Sequence, residues 1–301
     1  MHPGVVYATL AYTAWGLLPV FFKQLAGVGA LEVVLHRTVW ACLFLLGVLL
    51  VRRRWAWLAG VRRSPKVLGA FALSAALLAC NWLVYVWAVQ NDHMLDGSLG
   101  YFILPLVNVA LGFVFLHERP RRGQWLAVGV AAAGVLWLSL QAAQLPWIAL
   151  AIATSFGFYG LLRKVATLGA LEGLALETLL LTPIALGVLL WLAWHGQGAL
   201  AQVFSGVATS GRAPLTTLGW LLLAGPITAV PLLLFAAGAR RISLATLGIL
   251  QYISPSLQLA LGVWLYGEPF APSRAAGFAL IWAALLVYSV EGWWNGRQAG
   301  R

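Results

Sequence analysis

Acidic residues are scarce in this chain: eight Asp and Glu stand against 19 Lys and Arg in 301 positions, and charged residues of all kinds make up 9%. Soluble domains carry about 25%. The chain therefore has too little polar surface to enclose a water-soluble core, and lipid must solvate it. Cysteine is nearly missing too. The two present, Cys42 and Cys80, fall inside apolar runs, which excludes a disulfide framework and marks them as packing residues. Catalytic signatures are absent: no phosphate loop, no Gly-x-Ser-x-Gly elbow and no Cys-x-x-Cys pair. His117-Glu118-Arg119-Pro120-Arg121 opens like a zinc-protease motif but has Arg where the second His belongs. Gly27-Val28-Gly29 lacks the third glycine of a dinucleotide site. No enzyme activity, cofactor or metal is expected. The first apolar run has no charged segment before it and no small-residue cleavage site after it, so it reads as a retained span.

What is present is long hydrophobic runs, 62% of the residues being hydrophobic. About 20 apolar residues cross a bilayer as a helix. Ten runs meet that length: Val5–Lys23, Leu31–Leu50, Val67–Gln90, Gly97–Leu116, Gln124–Leu140, Pro146–Leu162, Leu171–Trp194, Thr217–Gly238, Leu244–Tyr266 and Ser273–Gly292. The runs are continuous rather than alternating, which disfavours a membrane barrel. With the N-terminus inside, fifteen Lys and Arg fall in inner loops and only Lys23, Arg212 and Arg274 in outer ones. The positive-inside rule then puts both termini in the cytoplasm. Many of the 16 Trp, among them Trp55, Trp57, Trp125 and Trp147, fall near span ends and read as interface belts.

One stretch recurs. Ser98–Glu118 and Thr246–Glu268 match at Pro105 and Pro255, Asn108 and Gln258, Gly112 and Gly262, Glu118 and Glu268. The match extends to Thr13-Ala14-Trp15-Gly16 with Thr154-Ser155-Phe156-Gly157, to Ala30-Leu31-Glu32 with Ala170-Leu171-Glu172, and to Trp87-Ala88 with Phe235-Ala236. The halves are 1–145 and 146–301, five spans each. An odd span count turns the second half upside down relative to the first. A duplicated, polar, Pro-broken span is a sequence pointer to a transporter's central site, and inverted repeats are the basis of alternating access.

Polar residues inside the spans are functional candidates because each is costly in lipid. Glu32 and His36 share one helix face, whereas Arg37 is rotated away and must find other partners. Arg37 aligns with Glu177 in the repeat, but the inverted topology puts them at opposite membrane sides, so a direct pair is not expected. Snorkelling to the interface is the competing explanation for Arg37. Asn81, Asn108, Gln251 and Gln258 either bind substrate or hydrogen-bond between helices. Trp15, Tyr85, Tyr101, Tyr159 and Tyr252 either line a cavity for a flat compound or pack the core. Pro105 and Pro255 are candidate hinges, since each removes a backbone donor. Gln251 and Tyr252, in the more polar of the two repeated stretches, are the first place to look for selectivity.

Ala14-Trp15-Gly16, His36-Arg37, Asn81-Trp82, Ser98-Leu99-Gly100-Tyr101-Phe102, Pro105-Leu106-Val107-Asn108, Tyr159-Gly160-Leu161, Glu177-Thr178, Thr246-Leu247-Gly248 and Gln251-Tyr252-Ile253 carry a resemblance over nearly the full length. The chain resembles the EamA-type members of the drug/metabolite transporter superfamily. The resemblance implies ten helices, cytoplasmic termini and export of small metabolites or drugs, phenicol-type compounds among them, across a bacterial inner membrane. The expected protein is thus an all-α polytopic membrane protein of two inverted five-helix repeats. It is a secondary-active or facilitative exporter that acts as monomer or homodimer on a small-molecule substrate, with no nucleic-acid partner. Proton coupling would rest on Glu177 and His36, imidazole being the side-chain type that changes charge near neutrality. The rival readings are a non-transporting membrane assembly protein and a membrane enzyme with an unrecognised site.

Overall fold

The computed structural model describes residues 2–25, 27–53, 55–90, 94–140, 147–205, 213–265 and 272–298, and within them all side chains except 86, 89–90, 94–99, 259, 262, 272–274 and 292–298. Every described element is helical. The first half holds α1 (Pro3–Phe22), α2 (Ala30–Arg52), α3 (Ala56–Arg63), α4 (Pro65–Gln90), α5 (Met94–Leu116) and α6 (Arg122–Leu140). The second holds α7 (Trp147–Val165), α8 (Ala170–Trp194), α9 (Gly198–Ser205), α10 (Pro214–Ala239), α11 (Leu244–Gln251), α12 (Ile253–Ala260) and α13 (Pro272–Gln298).

Local chemistry sets the starts and stops. Pro3 and Pro214 stand at the first helical position of α1 and α10, where a missing N–H costs nothing. Ser243 caps α11 by accepting from the Thr246 amide at 3.1 Å. Gly29 and Gly169 take the same N-cap place before α2 and α8, as the repeated Ala-Leu-Glu predicts. Among the described residues eight helical segments are long and apolar enough to cross a membrane, Leu244–Leu265 counted as one, and the apolar helices Gly100–Leu116 and Ala275–Glu291 are shorter. Leu43, Leu50, Phe113, Leu126, Leu136 and Leu286 are exposed on helix surfaces, as residues facing lipid are.

Three features depart from the sequence expectations. The loops after the second and seventh spans hold the short helices α3 and α9. The run Leu244–Tyr266 is not one helix: it breaks at Tyr252, and a π-helical turn occupies Leu261–Leu265. Pro255 cannot donate to the carbonyl four residues back, at Gln251, where α11 ends, which permits the break. Cys80 is exposed, not packed.

The core joins both halves. One cluster includes Tyr12, Leu45, Leu104, Phe156, Tyr159, Leu174, Phe235 and Leu247, from α1, α2, α5, α7, α8, α10 and α11. α5 lies on α7, α1 on α10, α11 and α12, α2 on α8 and α10, and α4 on α7 and α8. α6 and α13 pack on each other around Ala131, Phe278 and Ile281, and Phe102 of α5 and Ile249 of α11 join them to the other helices. Small residues permit the close contacts. A Cβ at Gly248 would stand 2.7 Å from the Pro105 carbonyl, and one at Gly134 would stand 2.9 Å from the Gly277 carbonyl.

Candidate functional site

Arg37 lies seven residues into α2, about 10 Å at 1.5 Å per residue. Five helices converge on it. Its Nε donates to Thr228 Oγ1 of α10 at 2.8 Å. Its guanidinium sits 4.8 Å from the Trp82 ring centroid of α4 and 5.5 Å from that of Phe22 of α1. Tyr85 of α4 and Tyr101 of α5 make an edge-to-face pair at 5.6 Å, within electrostatic reach of the guanidinium. Phe22, Arg37, Trp82, Tyr85 and Tyr101 are all partly exposed, although helices of both halves contribute to this cluster. No carboxylate pairs with Arg37 among the described residues. Cation–π contacts offset part of the cost of the charge.

Toward the other end of α1 the space is filled. Trp15 meets Tyr12 at 5.6 Å, Phe156 at 5.7 Å and Phe235 at 5.6 Å. Tyr159 stacks on Phe235 at 6.0 Å. Tyr12 and Tyr159 are fully buried. Beyond this aromatic layer lies a buried ion pair: Glu177 Oε1 of α8 is 3.5 Å from Arg163 Nη1 of α7, and neither side chain is exposed. Ser74 of α4 donates to the same carboxylate at 2.5 Å and Tyr159 at 3.4 Å. Arg163 also donates to the carbonyls of Gly169 and Ala170 and lies over Phe71.

A second ionic cluster closes the same end. Glu118, just past α5, accepts from the Leu244 amide at 2.9 Å and the Ala245 amide at 3.4 Å, capping α11. Lys164 is 3.5 Å from Glu118 and donates to the Ala239 and Ile242 carbonyls. Arg240 donates to the Ala166 and Leu168 carbonyls. Both ionic clusters tie one half of the chain to the other.

The remaining candidates scatter. His36 is buried, with Nδ1 accepting from Trp40 at 3.1 Å and Nε2 3.8 Å from Glu32. Glu32 in turn accepts from the Ala199 amide at the start of α9. Asn81 donates to the Ile152 carbonyl and Ser155, joining α4 to α7. Asn108 and Gln251 are buried, each with an unpaired side-chain oxygen. Tyr252 is fully buried against α5, donating to the Phe102 carbonyl at 3.2 Å. Gln258 donates to the Trp15 carbonyl. Glu268, the repeat partner of Glu118, lies outside the described residues.

Sequence reasoning missed Thr228, Ser74 and the pairing of Arg163. Pro226 and Pro231 flank Thr228 inside α10, and this Pro-broken polar signal was as readable as Pro105. Arg163 lies in the last turn of α7, where the sequence suggests an exposed cation at a span end, yet its side chain is fully buried.

The fold and the sequence have counterparts in other proteins. A solved crystal structure superposes with a TM-score of 0.71 at 17% identity, over 95% of this chain and 97% of its own. An uncharacterized transporter of Pseudomonas aeruginosa is 44% identical over 293 residues, covering 97% of this chain and 95% of its own. Protein RarD of Streptomyces exfoliatus is 43% identical over 99% of this chain and 90% of its own. Protein RarD of Escherichia coli is 41% identical over 99% and 97%. The EamA-like transporter family model matches residues 2–140. With relatives this similar along nearly its whole length, the chain belongs to the EamA-like transporter family.

Proposed function

We propose that the chain is a secondary transporter of the bacterial inner membrane that exports small organic molecules by alternating access. Ten helices cross the bilayer, as two inverted repeats, with the Pro3 end of the bundle in the cytoplasm. The observation that carries the reading is the contrast between the two ends of the bundle. Around Arg37 the helices α1, α2, α4 and α5 leave partly exposed polar and aromatic side chains. Around Glu177 the helices are sealed by packing and a fully buried ion pair, while Glu118, paired with Lys164, borders a surface pocket lined by Gln124, Ser243 and Ala245. This is the arrangement of a carrier open to the outside and shut toward the cytoplasm. Helix pairing supports the inverted repeat: exchanging α1 with α7, α2 with α8, α4 with α10, α5 with α11–α12 and α6 with α13 maps the main contacts onto one another. Arg37 and Glu177 are then equivalent positions, one in the open half and one in the sealed half.

The drive is the substrate's own gradient. The groups on which proton coupling would rest are enclosed: Glu177 by Arg163, Ser74 and Tyr159, and His36 by Trp40 and Glu32. Counterflow in proteoliposomes, screened over amino acids, nucleosides and phenicols, tests the reading. Expected is saturable exchange of at least one compound that ignores an imposed pH gradient. Absence of exchange for every class would sink the transport reading, and flux that follows the pH gradient would sink the gradient-driven one.

A further inference from the structure

Resting on that transport reading, we propose that Arg37 is the anchor for an anionic group of the substrate, a carboxylate or a phosphate carried on a flat, apolar body. The first ground is charge accounting. Of the described carboxylates, Glu32, Glu118, Glu177 and Glu291 are engaged elsewhere, with the α9 amide and His36, the α11 amides and Lys164, Arg163, and Arg121 respectively, and Glu172 also has an interaction of its own. Arg37 keeps its charge in the membrane interior with one hydroxyl and two ring faces for company. An intramembrane ionisable group calls for a partner, and none of the described protein carboxylates supplies it.

The second ground is geometry. Only Nε of Arg37 is spent, on Thr228. The two terminal nitrogens have no hydrogen-bond partner among the described residues, and the Arg37 side chain is partly exposed. A guanidinium presents its donors as a planar fork that fits carboxylate and phosphate oxygens in pairs. Holding one donor on Thr228 and the ring planes on Trp82 and Phe22 fixes the direction of that fork in advance.

The third ground is the wall. The edge-to-face pair of Tyr85 and Tyr101 stands beside the cation, giving a flat body ring surface to lie on and the anion two hydroxyl donors. A cationic substrate would meet the Arg37 charge unshielded. A neutral one would leave it uncompensated.

Isothermal titration of the whole chain in phosphatidylcholine nanodiscs decides the matter, with four probes sharing one body: 2-naphthoate, 2-naphthyl phosphate, 2-naphthamide and 2-naphthylmethylamine. Expected is binding of the two anions about 10- to 100-fold tighter than the amide, with the amine weakest. Arg37→Gln abolishes that preference and Arg37→Lys keeps part of it. An amide or amine binding as tightly as the anions overturns the inference without recourse to any variant, and so does an Arg37→Gln protein that still prefers anions. If phosphatidylglycerol in the nanodisc displaces 2-naphthoate one for one, the site holds a lipid headgroup and the substrate assignment falls. Counterflow separates this inference from the reading beneath it. Arg37-dependent anion binding without flux of any probe upholds the site and sinks transport. Arg37-independent flux of the amide or amine upholds transport and sinks the site.

Discussion

Glu177 and Arg163 face each other with no exposed surface on either side chain, and the pair's worth is best read from what happens when half of it goes. Removing one partner strands a buried charge, at a cost of about 3–5 kcal/mol, whereas replacing both with apolar residues is often neutral. Glu177→Gln is therefore expected to lower the thermal unfolding midpoint of the detergent-solubilised protein sharply, and Glu177→Leu with Arg163→Met to recover most of it. A double variant as unstable as the single one would show that Ser74 and Tyr159, not the charge pair, hold the site. Asn81 is a milder case. Its bonds to Ile152 and Ser155 are interhelical, and such bonds average about 0.6 kcal/mol in membranes. Asn81→Leu should shift the same melt only slightly. At this scale the sequence marked which residues were polar in an apolar setting, and Arg37, Asn81 and Glu177 stood out by type alone. It did not reveal their partners. Partner choice depends on side-chain direction across helices distant in the chain: Arg37 reaches Thr228, 191 positions away, and no local pattern encodes that.

Among the elements, the two repeated Pro spans behave differently, and the reason is packing. α5 runs unbroken through Pro105, whose carbonyl lies against α11 at Gly248. The span of Pro255 breaks at Tyr252, where two buried polar side chains, Gln251 and Tyr252, interrupt the apolar run. The sequence placed a Pro in each; only tertiary contact decides which one bends. Gly248→Val would push a side chain into the Pro105 carbonyl, and overpacking of this kind costs about 1–3 kcal/mol. The expected result is a lower midpoint with weakened α5–α11 protection in hydrogen exchange, and an unchanged exchange pattern would refute the close approach. Pro255→Ala restores a donor to the Gln251 carbonyl. It should raise thermal stability while slowing counterflow, since a straightened span loses its bend; equal flux would deny the hinge role. Span positions themselves were legible because length and apolarity are enforced by the bilayer. The short helices α3 and α9 were not, being held by contacts such as the Glu32 carboxylate at the α9 amide.

For the whole molecule, the balance between its two ends is the quantity under test. The sealed end is held by Glu118 and Lys164, which bind the exit of α5 to α7, α10 and α11, and by the Arg163–Glu177 pair behind them. An alternating-access cycle must release these contacts while closing helices around Arg37. Weakening the Glu118–Lys164 cluster by about 1 kcal/mol multiplies the population of the opposite state about fivefold. Glu118→Gln keeps the side-chain shape and an acceptor for the α11 amides, yet removes the charge facing Lys164. In a background with Cys42 and Cys80 replaced by Ala, a cysteine at Tyr85 reports the Arg37 end and one at Tyr159 reports the sealed end. With Glu118 intact, a membrane-impermeant maleimide added to whole cells should label the Tyr85→Cys protein readily, and added to inside-out vesicles should label Tyr159→Cys slowly. Glu118→Gln should reverse the trend at both sites, lowering the first rate and raising the second severalfold. The coupling of the two changes is what matters, because local fraying at Glu118 would speed labelling at Tyr159 alone. If Tyr85 labelling stays the same while Tyr159 labelling rises, the two ends are not linked, and the bundle does not rock as one two-state body.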